Sequence, residues 1–158
     1  MAVDFFLKID GIDGESQDAK HKGEIDVASW SWGATNSGSS SLLGGGGSGK
    51  VSMADFHFTM PHNSASAKLM QACATGEHIK KTVFIARKAG KDQQEFLKIV
   101  LTDVLISSYQ TGGTQEIPID QISINFSKIE HDYKPQKSDG TLGAAVHGGW
   151  DVKANQKV

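Results

Sequence analysis

Only one cysteine, Cys73, occurs in 158 residues, so no intrachain disulfide staples this fold. Charge of one sign is missing too: 16 basic residues face 18 acidic ones, a formal net charge of −2. That balance leaves no electrostatic footprint for nucleic acid or an anionic membrane. Long apolar runs are absent. The richest, "FLKIVLTDVLI", is interrupted by Lys98 and Asp103 and is too short to span a bilayer. The start, "MAVDFFLKID", shows no basic stretch leading into a long apolar run, so neither a secretory leader nor a membrane anchor is expected. A soluble chain made in the cytoplasm follows, with one domain over residues 1–158 and enough length for a real core.

Catalytic chemistry is equally sparse. The stretch Gly44–Lys50, "GGGGSGK", matches seven places of the phosphate-loop pattern and fails the eighth, because Val51 stands where a magnesium-binding hydroxyl is needed. A phosphate loop also opens a helix whose N-terminus holds the anion. The following "VSMADFHFTM" instead alternates like a strand. Pro61 separates His57 from His62, so they cannot share a helical face as metal ligands, and no cysteine pair accompanies any of the six histidines. Cys73 falls on an apolar stripe, the setting of an inert packed thiol. Glu130 and Asp132 share one strand face beside Lys128 and Lys134, which reads as a solvated, salt-bridged strand end. The expectation is a protein that is not an enzyme and carries no cofactor or metal.

What is present is mostly strand. Residues 3–9, 24–33, 51–60, 80–89, 94–110, 117–133 and 146–156 carry alternating or β-branched patterns. One segment switches period: "NSASAKLMQACATG" places Ala65, Leu69, Ala72 and Cys73 on one stripe, with Asn63 or Ser64 as N-cap and Gly76 as stop. Short turns between strands favour antiparallel pairing. The long loops 10–23, 33–50 and 134–146 are the kind that are usually functional or disordered.

Three strands carry information in their faces. In 24–33, strict alternation puts Trp30 and Trp32 with Asp26 and Ala28, opposite Ile25 and Val27. In 96–109 it puts Leu97, Ile99, Leu101 and Leu105 on one side and Phe96, Val100, Val104 and Ile106 on the other. Two apolar faces call for a second covering layer: the helix, another sheet or a neighbouring subunit, the alternative being a well-filled barrel that needs no partner. Strand 117–129 has one apolar face, Ile122, Ile124 and Phe126. Its other face is hydrophilic but uncharged: Gln121, Ser123, Asn125 and Ser127. Such a ladder suits a surface kept wet without gripping charged partners, or is an ordinary solvent face.

Taken in order, "FLKIDGIDGES", "EIDVASWSWG", "GGGGSGKV", "LMQACATGEH", "RKAGKDQQEFL", "SSYQTGGT", "YKPQKSDG" and "GGWDVKANQ" resemble the Hcp family, the hemolysin-coregulated proteins of bacterial type VI secretion. The resemblance spans essentially the whole chain. It implies a mainly β fold, a two-sheet antiparallel β-barrel with one α-helix packed on its side. It implies a structural inner-tube subunit: homohexameric rings that stack into a tube, with a spike protein at the tip, a contractile sheath outside and small effector proteins in the lumen. It implies a protein found outside the producing cell without a signal peptide. On this resemblance Gly44, Gly45, Gly46, Gly47, Ser48, Gly49, Ala89, Gly90 and Val158 are expected at ring or tube contacts. Gln121, Ser123, Asn125, Ser127 and Thr114 are expected to face the lumen. The competing readings are a small-ligand-binding β-barrel and a phosphohydrolase acting through the glycine loop.

Overall fold

The computed structural model describes residues 2–36, 50–90 and 93–158. In chain order the elements are β1 (Val3–Ile9), β2 (Ile25–Val27), β3 (Ser29–Ser31), β4 (Ala34–Asn36), β5 (Val51–Met53), β6 (Phe56–Pro61), α1 (Ser66–Thr75), β7 (Ile79–Lys88), β8 (Glu95–Gly112), β9 (Ile119–Tyr133), β10 (Val146–Asp151) and β11 (Gln156–Lys157). All strand pairs are antiparallel. The nine-stranded main sheet runs β11-β10-β9-β8-β7-β1-β2 and forks along β9. The first half of β9 pairs with β6, from Ile119↔Pro61 to Ile124↔Phe56, and β3 pairs with β6 beyond it. The second half pairs with β10, from Lys128↔Asp151 to Tyr133↔Val146.

The fold class is the expected one, mainly antiparallel β with a single helix among the described residues, but the barrel is not a closed ladder. The ends of the curled sheet, β2 and β3, are consecutive pieces of chain. They meet at Ala28, whose N–H donates to the Thr59 carbonyl at 2.9 Å. Closure there is a bend in the covalent chain.

That bend corrects the reading of 24–33 as one strand. β2 pairs with β1 (Phe5↔Val27) and β3 with β6 (Trp30↔Phe58), so the chain changes partner at Ala28 and its alternation loses phase. Trp30 therefore leaves the face of Asp26 and joins the core beside Ile25 and Val27. Its ring centroid lies 4.8 Å from that of Phe84, 6.0 Å from Phe56 and 6.3 Å from Phe5. The 51–60 stretch likewise splits into β5 and β6. β4, not foreseen inside the long loop, pairs with β5 as a two-stranded ribbon. A strand rather than a helix follows Lys50, as the alternation indicated.

The two-faced character of β8 has a local cause. Asp103 sits at φ +51° and is skipped in the ladder, where Thr102 pairs with Lys128 and Val104 with Phe126. The register is the same on both sides of it, so no residue is inserted there; its left-handed backbone breaks the alternation, and the β-bulge of this ladder comes later, at Ser107 between Ile106↔Ile124 and Ser108↔Ser123. Leu97, Ile99 and Leu101 before Asp103 and Val104 and Ile106 after it all enter the same core. The outer face keeps Phe96 and Val100. Loop 10–24 covers part of that outer side, the face of β1 and β7. His21 stacks on Phe6 at 4.3 Å, and Arg87 lies over the same ring at 4.8 Å. Arg87 also clamps the loop by donating to both carboxylate oxygens of Asp18, at 2.9 and 2.8 Å, and to Asp4 at 3.2 Å. Those hydrogen bonds from Arg87 hold Asp18 far below the usual carboxylate range.

α1 packs Ala65, Leu69 and Ala72 into the core, with Cys73 half-buried against it. Gly76 ends the helix at φ +66°, its N–H donating to the Ala72 carbonyl. Ala65 occupies the N-cap position with helical dihedrals, so neither Asn63 nor Ser64 does. Asn63 still acts as a cap chemically: its Oδ1 accepts from the Ala65 N–H at 2.8 Å, while its own N–H donates to Ser66 Oγ at 3.0 Å. The reciprocal pair works like a capping box set two residues early.

Candidate functional site

The alternation of β9 sends Ile122, Ile124 and Phe126 inward and Gln121, Ser123, Asn125 and Ser127 outward, as its sequence indicates. Neighbouring strands widen that outward face. β6 and the residue before it contribute Asp55, His57 and Thr59; β8 contributes Ser107, Ser108 and Gln110; β3 contributes Ser29 and Ser31. Together they border a shallow groove of about 450 Å³ with Ser29, Ser31, Thr59, Gln110, Gln121 and Ser123 on its walls.

The ladder is internally bonded. Ser123 Oγ lies 2.7 Å from His57 Nδ1. Asn125 Nδ2 donates to Asp55 Oδ1 at 2.9 Å, and Ser107 Oγ donates to Asp55 Oδ2 at 2.7 Å. Ser29 and Thr59 hydroxyls meet at 2.6 Å. At the far end Asp103 receives Ser127 Oγ at 3.0 Å and Lys153 Nζ at 2.7 Å, with His78 Nδ1 at 3.1 Å. Lys153 chiefly, then Ser127 and His78, hold the Asp103 carboxyl down to about 2. The face is therefore uncharged on β9 alone. Asp55 and Asp103 bring charge to it from the adjoining strands, and His57 adds a ring paired with Ser123. Their alternation was readable in "ADFHFTM", where Asp55, His57 and Thr59 interleave with Phe56, Phe58 and Met60.

A second polar cluster lies on the opposite, inward side. Asp120 is completely buried. It accepts from Ser66 Oγ at 2.5 Å and sits 3.0 Å from His62 Nδ1. Burial pushes its pKa up, but hydrogen bonds from Ser66, Thr111 and His62 outweigh that and leave it below the usual value. The cluster ties the start of α1 to β9. Its geometry suits structure: the buried Ser66 hydroxyl is held by the Asp120 carboxylate between helix and sheet.

The other candidate residues fall in separate places. Thr114 lies in the exposed β8–β9 turn, off the ladder. Ala89 and Gly90 form the exposed β7–β8 turn. Gly90 has φ +129°, and the Ala89 N–H donates to the Ala2 carbonyl. Val158 returns to β10, its N–H donating to the Gly149 carbonyl and its own carbonyl 3.3 Å from His147 Nε2. His147 Nδ1 is 2.7 Å from Asp132 Oδ1, so the partner of Asp132 is this histidine and not a neighbouring lysine. That hydrogen bond, with the Val158 carbonyl, holds His147 above the usual imidazole range. Gly44, Gly45, Gly46, Gly47, Ser48 and Gly49 lie outside the described residues. Among the described residues no three His, Cys, Asp or Glu side chains converge as metal ligands, and no helix is long and apolar enough to cross a membrane.

A curled antiparallel sheet with a lateral helix and a bonded polar outer ladder defines a mainly β protein with a single helix among the described residues. The profile described as "Type VI secretion system effector, Hcp" matches residues 6–133. The chain is 43% identical over 159 aligned positions to Protein hcp1 of Pseudomonas aeruginosa, covering 98% of each. Among solved structures it resembles Hcp1 from Salmonella typhimurium, with a TM-score of 0.81, 33% identity and 100% of both chains covered. It also resembles a structure described as a type six secretion system protein, with a TM-score of 0.92, 31% identity and 99% of this chain covered against 100% of that one. The chain belongs to the Hcp family of type VI secretion.

Proposed function

We propose that this chain is a structural subunit of the type VI inner tube and has no enzymatic role. Six copies close a ring and rings stack into a tube. The outward ladder of Gln121, Ser123, Asn125 and Ser127 lines the lumen, where effector proteins travel. A sheath surrounds the tube, a spike tips it, and the protein leaves the cell with it. The observation that carries this reading is the pairing of whole-length Hcp likeness with a bonded hydrophilic face turned away from a full core. A wall of hydroxyls and amides solvates a passenger without holding it. The small-ligand alternative finds the barrel interior occupied by fully buried Phe56, Phe58 and Phe84. Native mass measurement at tens of micromolar is expected to give a six-fold species. A folded monomer as the sole species would remove the reading.

A further inference from the structure

β11 closes the main sheet at one edge, tied to β10 by the ladder pairs Lys157↔Trp150 and Gln156↔Asp151. So short a ladder falls below the usual strand length and needs other contacts to stay in place. Two residues of β10 supply them, and both act on Val158. Gly149 is the first. A Cβ built there would lie 2.9 Å from Val158 Cγ2 and 3.1 Å from the Val158 carbonyl oxygen. Its φ is not positive, so packing and not conformation asks for glycine. The space goes to Val158, whose N–H donates to the Gly149 carbonyl.

His147 is the second. Its ring bridges two acceptors: Nδ1 lies 2.7 Å from Asp132 Oδ1, and Nε2 lies 3.3 Å from the Val158 carbonyl oxygen. A carboxylate and a carbonyl only accept, and a neutral imidazole has one N–H. A neutral ring therefore serves one acceptor and turns a lone pair on the other. The imidazolium serves both. Asp132 is the nearer partner and a carboxylate, so it keeps the first proton. The bond to Val158 is the one that the second proton makes or breaks.

We infer that His147 is a proton-operated latch that closes β11 and Val158 onto the edge of β10. Closed, it covers the Gly149–Asp151 part of that edge. Open, it bares a strand edge, the template on which another extended chain can pair. By register and alternation, the ionisable groups on the face of His147 are Asp132, Glu130 and Lys128 on β9, Lys134 just beyond it, Lys98 on β8 and Asp151 on β10. Lys157 of β11 lies opposite Trp150, on the other face. Asp132, with a smaller contribution from Glu130, draws the second proton onto the ring and holds it there above the usual imidazole range. Closure is thus complete below the ordinary histidine value and is lost as pH rises through the raised one.

The test is hydrogen exchange of the full chain, read by mass spectrometry on the peptide 152–158 and corrected for the intrinsic effect of pH. The β7 peptide, 79–88, is the internal reference. Between about pH 5.5 and about pH 9, exchange of the tail is expected to quicken about threefold to fivefold, the scale of an exposed ion pair. His147→Gln, which does not titrate, is expected to give one corrected rate across the range. Gly149→Ala, which takes the seat of Val158, is expected to exchange fast throughout. Asp132→Asn is expected to move the transition to lower pH. Wild-type tail exchange that ignores pH, the same pH response in His147→Gln, or a response shared by 79–88 would each overturn the latch. So would a response that disappears on dilution, which would assign it to contacts between copies.

Discussion

Asp120 shows how much one residue decides. A carboxylate with no solvent exposure sits in the apolar phase of β9, where its neighbours on that face are Ile122 and Ile124. It survives there because Ser66, His62 and Thr111 supply hydrogen bonds. Removing the acceptor strands the buried Ser66 hydroxyl, while the exposed His62 and Thr111 turn to water. Asp120→Ala is expected to destabilise the fold by about 3 kcal/mol, read as a fall in the urea midpoint at unchanged slope. The pH dependence has a definite sign. The folded-state pKa lies below the ordinary aspartate value, so the stabilisation is present above that ordinary value. It is lost as pH falls through the lowered one. Asp120→Asn should flatten that acid limb, and equal acid sensitivity in Asp120→Asn and wild type would refute the assignment.

At the scale of elements, the ribbon β4–β5 stands apart from the main sheet. Its three-residue strands pair with each other, in a sheet separate from the main one. Replacing Gly44–Gly47 by a shorter linker is expected to leave the unfolding midpoint within about 1 kcal/mol of wild type, since closure entropy varies slowly with loop length. Assembly should weaken, and a sedimentation profile identical to wild type would show that the segment is not an assembly element. Much of the element plan was legible beforehand. β1, α1, β7 and β9 declare themselves by period, and Gly76 marks its stop. What escaped were phase breaks. Ala28 and Asp103 each shift the alternation by one, and neither looks like a breaker: alanine carries no turn signal, and Asp103 stands amid β-branched residues. A partner change, a left-handed residue or the bulge at Ser107 is set by what lies across the sheet, which periodicity does not carry. The ladder on β9 was visible for the same reason, since Gln121–Ser127 crosses no such break. Asp55 and His57 joined it only once β6 was placed beside β9.

For the whole molecule, repetition multiplies whatever a single face carries. If Ser123 faces a six-fold channel, Ser123→Glu sets six like charges around it. Close like charges in water cost roughly 1 kcal/mol per pair and less beyond a Debye length of about 8 Å. Ring assembly should therefore persist, while retention of effectors of different charge should shift, measured by co-purification on the substituted ring. An assembled ring with unaltered retention would place Ser123 elsewhere than on the channel wall. The order of strands in the sheet also sets a clock. β1 is made first, yet in the finished sheet it lies between β2 and β7, with Val3 opposite Lys88. During synthesis at ~5–20 residues per second, the ribosome must add about eighty residues before β1 meets its second neighbour, a wait of roughly 4–16 seconds. Through that interval "VDFFLKI" is a newborn apolar strand with an unsatisfied edge, and shielding it is work for whatever greets the chain as it emerges.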